Sequence, residues 1–167
     1  MMLTLRRAHC DDVPTILKLI RGLAEYEREP QAAVATAEDL IRDGFSNERA
    51  PKFHVILAEW DGVPCGFAFY FFNYSTWAGR PGLYLEDLFV QPEFRGHGIG
   101  KALLAQLAVI AREENCYGMK WNVLDWNQPA IDFYDSLGAE LQREWLNVRI
   151  MGEPMKRLES QAPGLIR

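Results

Sequence analysis

The sequence predicts an α/β fold: a mixed, mostly antiparallel twisted sheet flanked by helices. Three observations carry that expectation. First, two apolar runs, "FHVILAEW" and "VPCGFAFYFFNYS", flank Asp61-Gly62, the dipeptide most favourable to a two-residue hairpin turn. Second, "LYLEDLFV" leads into a helix over 98–115 and then into "MKWNVLD", a strand–helix–strand unit within residues 83 to 125. Third, apolar residues recur at helical spacing in separate stretches on either side of these runs.

The elements follow in order. "LTLRR" alternates and reads as a short strand. Asp11 or Asp12 caps the next helix, with Pro14 in its first turn. Val13, Ile16, Leu17, Ile20, Leu23 and Ala24 form its apolar face. Thr36 and Asp39 have the spacing of a capping box for a short helix ending at Gly44. In the 98–115 helix Ile99, Leu103, Leu107 and Ile110 point inward. "QPAIDFYDSL" is a helix closed by Gly138, and "LNVRI" is the last strand. With no repeat or linker, residues 1–167 read as one domain, with 158–167 as a flexible tail.

Composition narrows the function. The chain has 167 residues, about half apolar, and a net charge of −5, so it lacks the basic footprint of a nucleic-acid binder. No run approaches membrane-spanning length, and the N-terminus has no apolar signal core. Cys10, Cys65 and Cys116 are far apart and odd in number, which suits reduced thiols in a cytoplasm. His9, His54 and His97 lack metal-ligand spacing, so no metal is expected.

Chemistry concentrates in "LEDLFVQPEFRGHGIGKALL", where strand gives way to helix. Gly96, Gly98 and Gly100 are spaced two and two, which fails the G-x-G-x-x-G dinucleotide fingerprint. Arg95 stands where a P-loop needs glycine, and Ala102 replaces its Ser/Thr. Glycines still permit a sharp turn and close approach, and a helix N-terminus offers free N–H groups to an anion. Arg95 adds a permanent charge. The same glycines also suit a tight turn with no ligand.

Arg95-x-x-Gly98-x-Gly100 after "LFVQPEF", followed by Asn127 and Tyr134, resembles the acetyl-CoA motif of the GCN5-related N-acetyltransferases (GNAT). The resemblance spans roughly residues 3 to 158. It is closest over 83–138, where "YLEDLFVQPEFRGHGIG" and "VLDWNQPAIDFYDSLGA" look like the spermidine/spermine branch. "YSTWAGR" and "VLDWNQ" look most like the thialysine (diamino acid) acetyltransferases. The resemblance implies a sheet in which two parallel strands splay after a bulge. The freed edge at Leu88, Phe89 and Val90 would then pair with the pantetheine arm of acetyl-CoA. It also implies that the amides of Gly96, His97, Gly98, Ile99, Gly100 and Lys101, with Arg95, hold the pyrophosphate, and that Asn127 reaches the cofactor.

Direct acetyl transfer to an amine makes three chemical demands. The amine, pKa about 10.4, must lose a proton; the oxyanion needs donors; the departing thiolate leaves more readily with a proton supplied. By resemblance Tyr134 is the general acid, although it also fits its helix's apolar stripe. Glu86 is the candidate base, acting through water. It interrupts an apolar strand, where an unpaired carboxylate is costly, although a solvated edge position would also accommodate it. An acyl-cysteine route finds little support, because Cys116 lies away from both motifs.

The implied partner is a small cationic amine, met by Tyr26, Glu27, Glu86, Asp87, Leu124 and Asp125, with Ser75 and Thr76 near it and Trp77 and Trp126 walling the tunnel, although tryptophan at strand ends is often plain packing. Polyamine enzymes carry aspartate at the position of Ser75; its loss removes a contact to a second ammonium and points to a diamino acid instead. The loop from Gly138 to Trp145 is shorter than in either branch. A polyamine acetyltransferase, a protein or peptide acetyltransferase and a non-catalytic acyl-CoA-binding module are the alternatives; the last would typically lack Tyr134 or Glu86. "WLNVRI" alternates Leu146, Val148 and Ile150, and this branch pairs such strands across a two-fold, so a homodimer is expected.

Overall fold

The computed structural model describes residues 1–164 and divides into two compact units, Met1–Asn122 and Val123–Arg167. The first holds a five-stranded sheet in the order β1-β2-β3-β4-β5. Its strands are β1 (Leu3–Arg7), β2 (His54–Trp60), β3 (Val63–Ser75), β4 (Arg80–Val90) and β5 (Met119–Lys120). The first four are antiparallel; β4 and β5 are parallel. Asp61 and Gly62 take φ of 50° and 81° between β2 and β3, the left-handed pair a type I′ turn requires.

Helices cover both faces. On one, Val13, Ile16 and Leu19 of α1 (Val13–Tyr26) pack with Val55, Leu57, Phe67 and Phe89 of the sheet. Leu17, Ile20 and Leu23 pack at the margin of this core, while the buried Leu19 was absent from the expected face. Gly22 lies so close to β4 that a Cβ there would meet the Phe89 ring at 3.0 Å. In α3 (Ile99–Glu113) the four residues expected inward, Ile99, Leu103, Leu107 and Ile110, are all buried. Four such side chains contribute about 6–12 kcal/mol of gross burial energy, which anchors the helix behind the glycine turn.

Caps and breaks differ in detail. Thr36 and Asp39 form the expected capping box of α2 (Ala37–Leu40), Asp39 N–H donating to Thr36 Oγ1 at 3.2 Å and Thr36 N–H to Asp39 Oδ2 at 3.1 Å. Gly44 does not stop that helix; a wider π turn, Ile41–Phe45, runs through it. Asp12 occupies the N-cap of α1, but its carboxylate makes no cap bond. It accepts from Arg6 Nη1 at 2.7 Å and Nη2 at 2.8 Å, and from His9 N–H at 2.8 Å. Arg6 also donates to Glu59, tying β1, β2 and the α1 entry together. A bidentate arginine outcompetes the helix amides for the same oxygens.

The second unit contains α4 (Gln128–Ser136) and α5 (Gly152–Glu159). Gly138, φ 79°, follows α4 as expected. Two strand expectations are corrected: "MKWNVLD" pairs only over Met119–Lys120, and "LNVRI" forms no strand. Leu146 and Val148 are 86% and 90% exposed, so the alternating face is not buried and no strand pairing holds it. Helix α5 extends to Glu159 inside the expected tail, whose last residues, 165–167, lie outside the described residues.

Candidate active site

The site grows from an irregularity in β4. Phe69 pairs with Asp87, but the next residue, Tyr70, pairs with Leu85, so Glu86 is the extra residue of a β-bulge. Directly opposed residues share a face of the sheet. Asp87 therefore lies on the face of Phe69, which packs against the α1 core, while Leu85 lies with Tyr70 on the other. Strict alternation would have placed Leu85 and Asp87 together. The bulge moves Asp87 to the side of the sheet that α1 covers.

Helix α1 ends there. Arg28 adopts φ 66°, with Arg28 N–H donating to Glu25 O at 3.1 Å and Glu29 N–H to Ala24 O at 2.9 Å, a Schellman-type stop that fixes Tyr26 and Glu27. Burial raises the Glu27 carboxyl above its usual range. Burial, then the charges of Glu86 and Glu27, push Asp87 up to about 7. Three carboxylates thus share one region, and mutual repulsion there favours holding a proton or meeting a cation. Among the described residues no cluster of three or more His, Cys, Asp or Glu side chains is disposed to hold a metal.

The bulge also marks where parallel pairing has ended. β5 matches β4 only at Leu83–Met119 and Tyr84–Lys120. From Leu85 to Val90, β4 has, among the described residues, a strand partner on its β3 side alone, which leaves its other edge there for an added extended chain, with Val90 O already engaged by Arg95 Nε. The turn follows. Phe94 N–H donates to Gln91 O and Arg95 N–H to Pro92 O; Gly96 and Gly98 then take φ of 80° and 76°. A Cβ built on either glycine meets nothing within 4 Å, so these positions require glycine for its backbone and leave open space. Gly98 is the N-cap of α3, and the first-turn amides of Ile99, Gly100 and Lys101 have no acceptor within the helix. An open edge, a left-handed glycine turn and a helix N-terminus in succession fit a long ligand that carries phosphate.

Arg95 does more than supply charge. Its Nε donates to Val90 O at 3.0 Å, and its guanidinium lies 4.5 Å from the centre of the Tyr26 ring and 5.8 Å from that of Phe89. The residue thus ties the turn to the end of α1, a link no local sequence pattern announces.

The remaining expected residues are placed as follows. Ser75, Thr76 and Trp77 sit at the tip of the β3–β4 hairpin, where Ser75 Oγ accepts from Ala78 N–H at 3.0 Å. Ser75 pairs with Arg80, six residues from Glu86, so the tip stands about 20 Å along the strand from the bulge. Trp77 is 95% exposed. In the second unit Leu124, Asp125 and Trp126 are exposed or nearly so, and Asn127 is buried with its Oδ1 accepting from Ala130 N–H at 3.4 Å as the α4 cap. Tyr134 is half-buried on α4, its ring 5.4 Å from that of Phe133.

With this geometry in place, the comparisons are specific. The acetyltransferase (GNAT) family model matches residues 17–139. Thialysine N-epsilon-acetyltransferase of Bos taurus is 39% identical over 165 residues, covering 92% of this chain and 95% of that protein. Spermidine/spermine N(1)-acetyltransferase-like protein 1 of Homo sapiens is 40% identical over 142 residues, 81% of this chain and 20% of that protein. An integron cassette protein from the mobile metagenome of V. cholerae superposes with a TM-score of 0.80 at 29% identity, covering 96% of this chain and 99% of that one.

Proposed function

The chain belongs to the GNAT acetyltransferase family and transfers acetyl from acetyl-CoA; from that premise we propose that its acceptor is a primary amine of a small diamino compound, thialysine or a related lysine-like amino acid. The observation that carries this reading is the carboxylate set Glu27, Glu86 and Asp87 at the bulge beside the open strand edge. It suits a cation, and its most basic member suits the proton that must leave. At pH 7 an amine of pKa about 10.4 is neutral in roughly four molecules per ten thousand. Moving its proton to a carboxylate of pKa about 3.9 is uphill by about 9 kcal/mol; moving it to Asp87 is uphill by about 5.

Acetyl-CoA supplies the activated acyl group. In this reading Glu86, projecting from the bulge, meets the amine and passes its proton through water, and Asp87 retains it. The open edge at Leu88, Phe89 and Val90 aligns the pantetheine arm, and the amides from Gly96 to Lys101 hold the diphosphate with Arg95. The Tyr134 hydroxyl gives its proton to the leaving thiolate.

The three carboxylates suit the cationic amine of either acceptor; Ser75, rather than an acid, favours an amino acid over a polyamine. A screen of thiol release from acetyl-CoA over thialysine, lysine, ornithine, spermidine, spermine and peptides decides. Highest kcat/KM on spermidine, or on peptides alone, refutes the diamino acid reading.

The exposed alternation at Leu146, Val148 and Ile150 supports pairing with a second copy. Because the tip bearing Ser75, Thr76 and Trp77 lies farther from the bulge than a lysine-sized molecule spans, its substrate would be in the partner's site. Light scattering at micromolar concentration that gives one chain mass refutes the dimer. The three free cysteines and the absence, among described residues, of a helix long and apolar enough to cross a membrane support a cytoplasmic reading.

A further inference from the structure

We propose that Trp60, through His97, is a positioning residue that holds the glycine turn in its phosphate-binding shape. The proposal rests on the assignment of that turn to the diphosphate of acetyl-CoA. His97 stands between Gly96 and Gly98, the two left-handed positions. Its side chain folds back on its own turn: Nδ1 lies 3.2 Å from Phe94 O and 3.0 Å from Arg95 O. Both partners are carbonyl oxygens, so Nδ1 carries the proton and donates to the pair. The opposite support comes from the sheet. The Trp60 ring lies 4.9 Å from the imidazole, centroid to centroid, at 57°. Trp60 ends β2, paired with Leu3 on one side and Val63 on the other, so its backbone is fixed from both edges.

This matters because of what the turn is made of. Glycine loses more conformational freedom on ordering than any other residue, and a ligand that must order a loop binds more weakly by that cost. The imidazole pins the turn from inside, and Trp60 keeps the imidazole in place. The contact thereby orders Gly96 and Gly98 before any ligand arrives. Neither ring needs to touch the cofactor for this, and the effect must be confined to ligands that use the turn.

Titration calorimetry with CoA and with pantetheine, which lacks the diphosphate and nucleotide, tests it. Trp60→Ala and His97→Ala should each weaken CoA binding about three- to tenfold, the range of an aromatic contact, while pantetheine binds as to the parent. Trp60→Phe should restore most of the CoA affinity. A parallel loss of both ligands, or unchanged CoA affinity in both alanine variants, overturns the proposal. If Trp60→Ala does not fold, His97→Ala decides alone, because that side chain is exposed. A parent protein that binds pantetheine and CoA equally well sinks the assignment of the turn itself, a different result from either.

Discussion

Replacing Asp87 with asparagine removes a carboxylate matched to neutral pH while keeping nearly its shape. Burial, with Glu86 and Glu27 adding repulsion, holds Asp87 near 7 instead of 3.8. Relative to a carboxylate of ordinary basicity, that is about three decades of proton affinity, or about 4 kcal/mol. If half of it is expressed in the transition state, the variant loses about thirtyfold in kcat/KM at pH 8; full expression gives about a thousandfold. The assay is kcat/KM for the best amine between pH 5.5 and 9. The parent should rise through about 7 as Asp87 ionises, and the variant should lack that limb. Glu86→Gln removes a like charge, so it should move the limb to lower pH. Stability should change in the opposite sense to activity. Asp87 takes up a proton more readily folded than unfolded, so its ionisation costs stability that sets in above about pH 4 and is complete above about 7. Asp87→Asn should therefore raise the melting temperature at pH 8, by up to about 4 kcal/mol of stability, and change it little at pH 4. A variant that keeps the acidic limb, or loses both activity and stability at pH 8, would refute the role of Asp87 as proton acceptor.

Tyr134→Phe should keep CoA affinity by calorimetry but lose at least a hundredfold in turnover; equal turnover across pH removes Tyr134 as the acid. Gly98→Val places a β-branched residue at φ 76° and in the open space beside α3, so CoA binding should fall below detection; unchanged affinity would mean the turn holds no phosphate. Ser75→Asp retains an acceptor for Ala78 N–H, so the fold should persist, while kcat/KM for thialysine drops and that for spermidine rises, each about five- to thirtyfold. Constants that move together, or not at all, mean position 75 does not face the substrate. Arg6 holds Asp12 at about 2, so this pair stabilises the fold above the unfolded value of 3.8 and the benefit is lost as pH falls toward 2. Arg6→Met should cost about 1 kcal/mol at pH 7, after allowance for solvent screening, and only a small fraction of that near pH 2; thermal melts at both pH values check it.

What the sequence determined by itself was local. Asp61-Gly62 specifies a type I′ turn because both residues tolerate positive φ, and the structure has it. The spacing of Ile99, Leu103, Leu107 and Ile110 makes one face of a helix whatever lies opposite, and all four are buried. The glycines around the start of α3 announced a sharp turn at a helix N-terminus, and Gly96 and Gly98 make it with left-handed backbone. Tertiary structure decided whatever depends on a partner elsewhere in the chain. Alternation in "WLNVRI" is necessary for a strand but not sufficient, since a strand also needs a pairing partner, and the stretch pairs with none among the described residues. "YLEDLFV" gives no sign that Glu86 is a bulge, because a bulge is a property of two strands and their register. That one extra residue puts Asp87 on the α1 face beside Glu27. Burial and neighbouring charge, both long-range quantities, then push its carboxyl up to about 7. Arg95 on Tyr26 and Trp60 on His97 belong to the same class: the residues are about 70 and 40 positions apart, and only folding makes them neighbours.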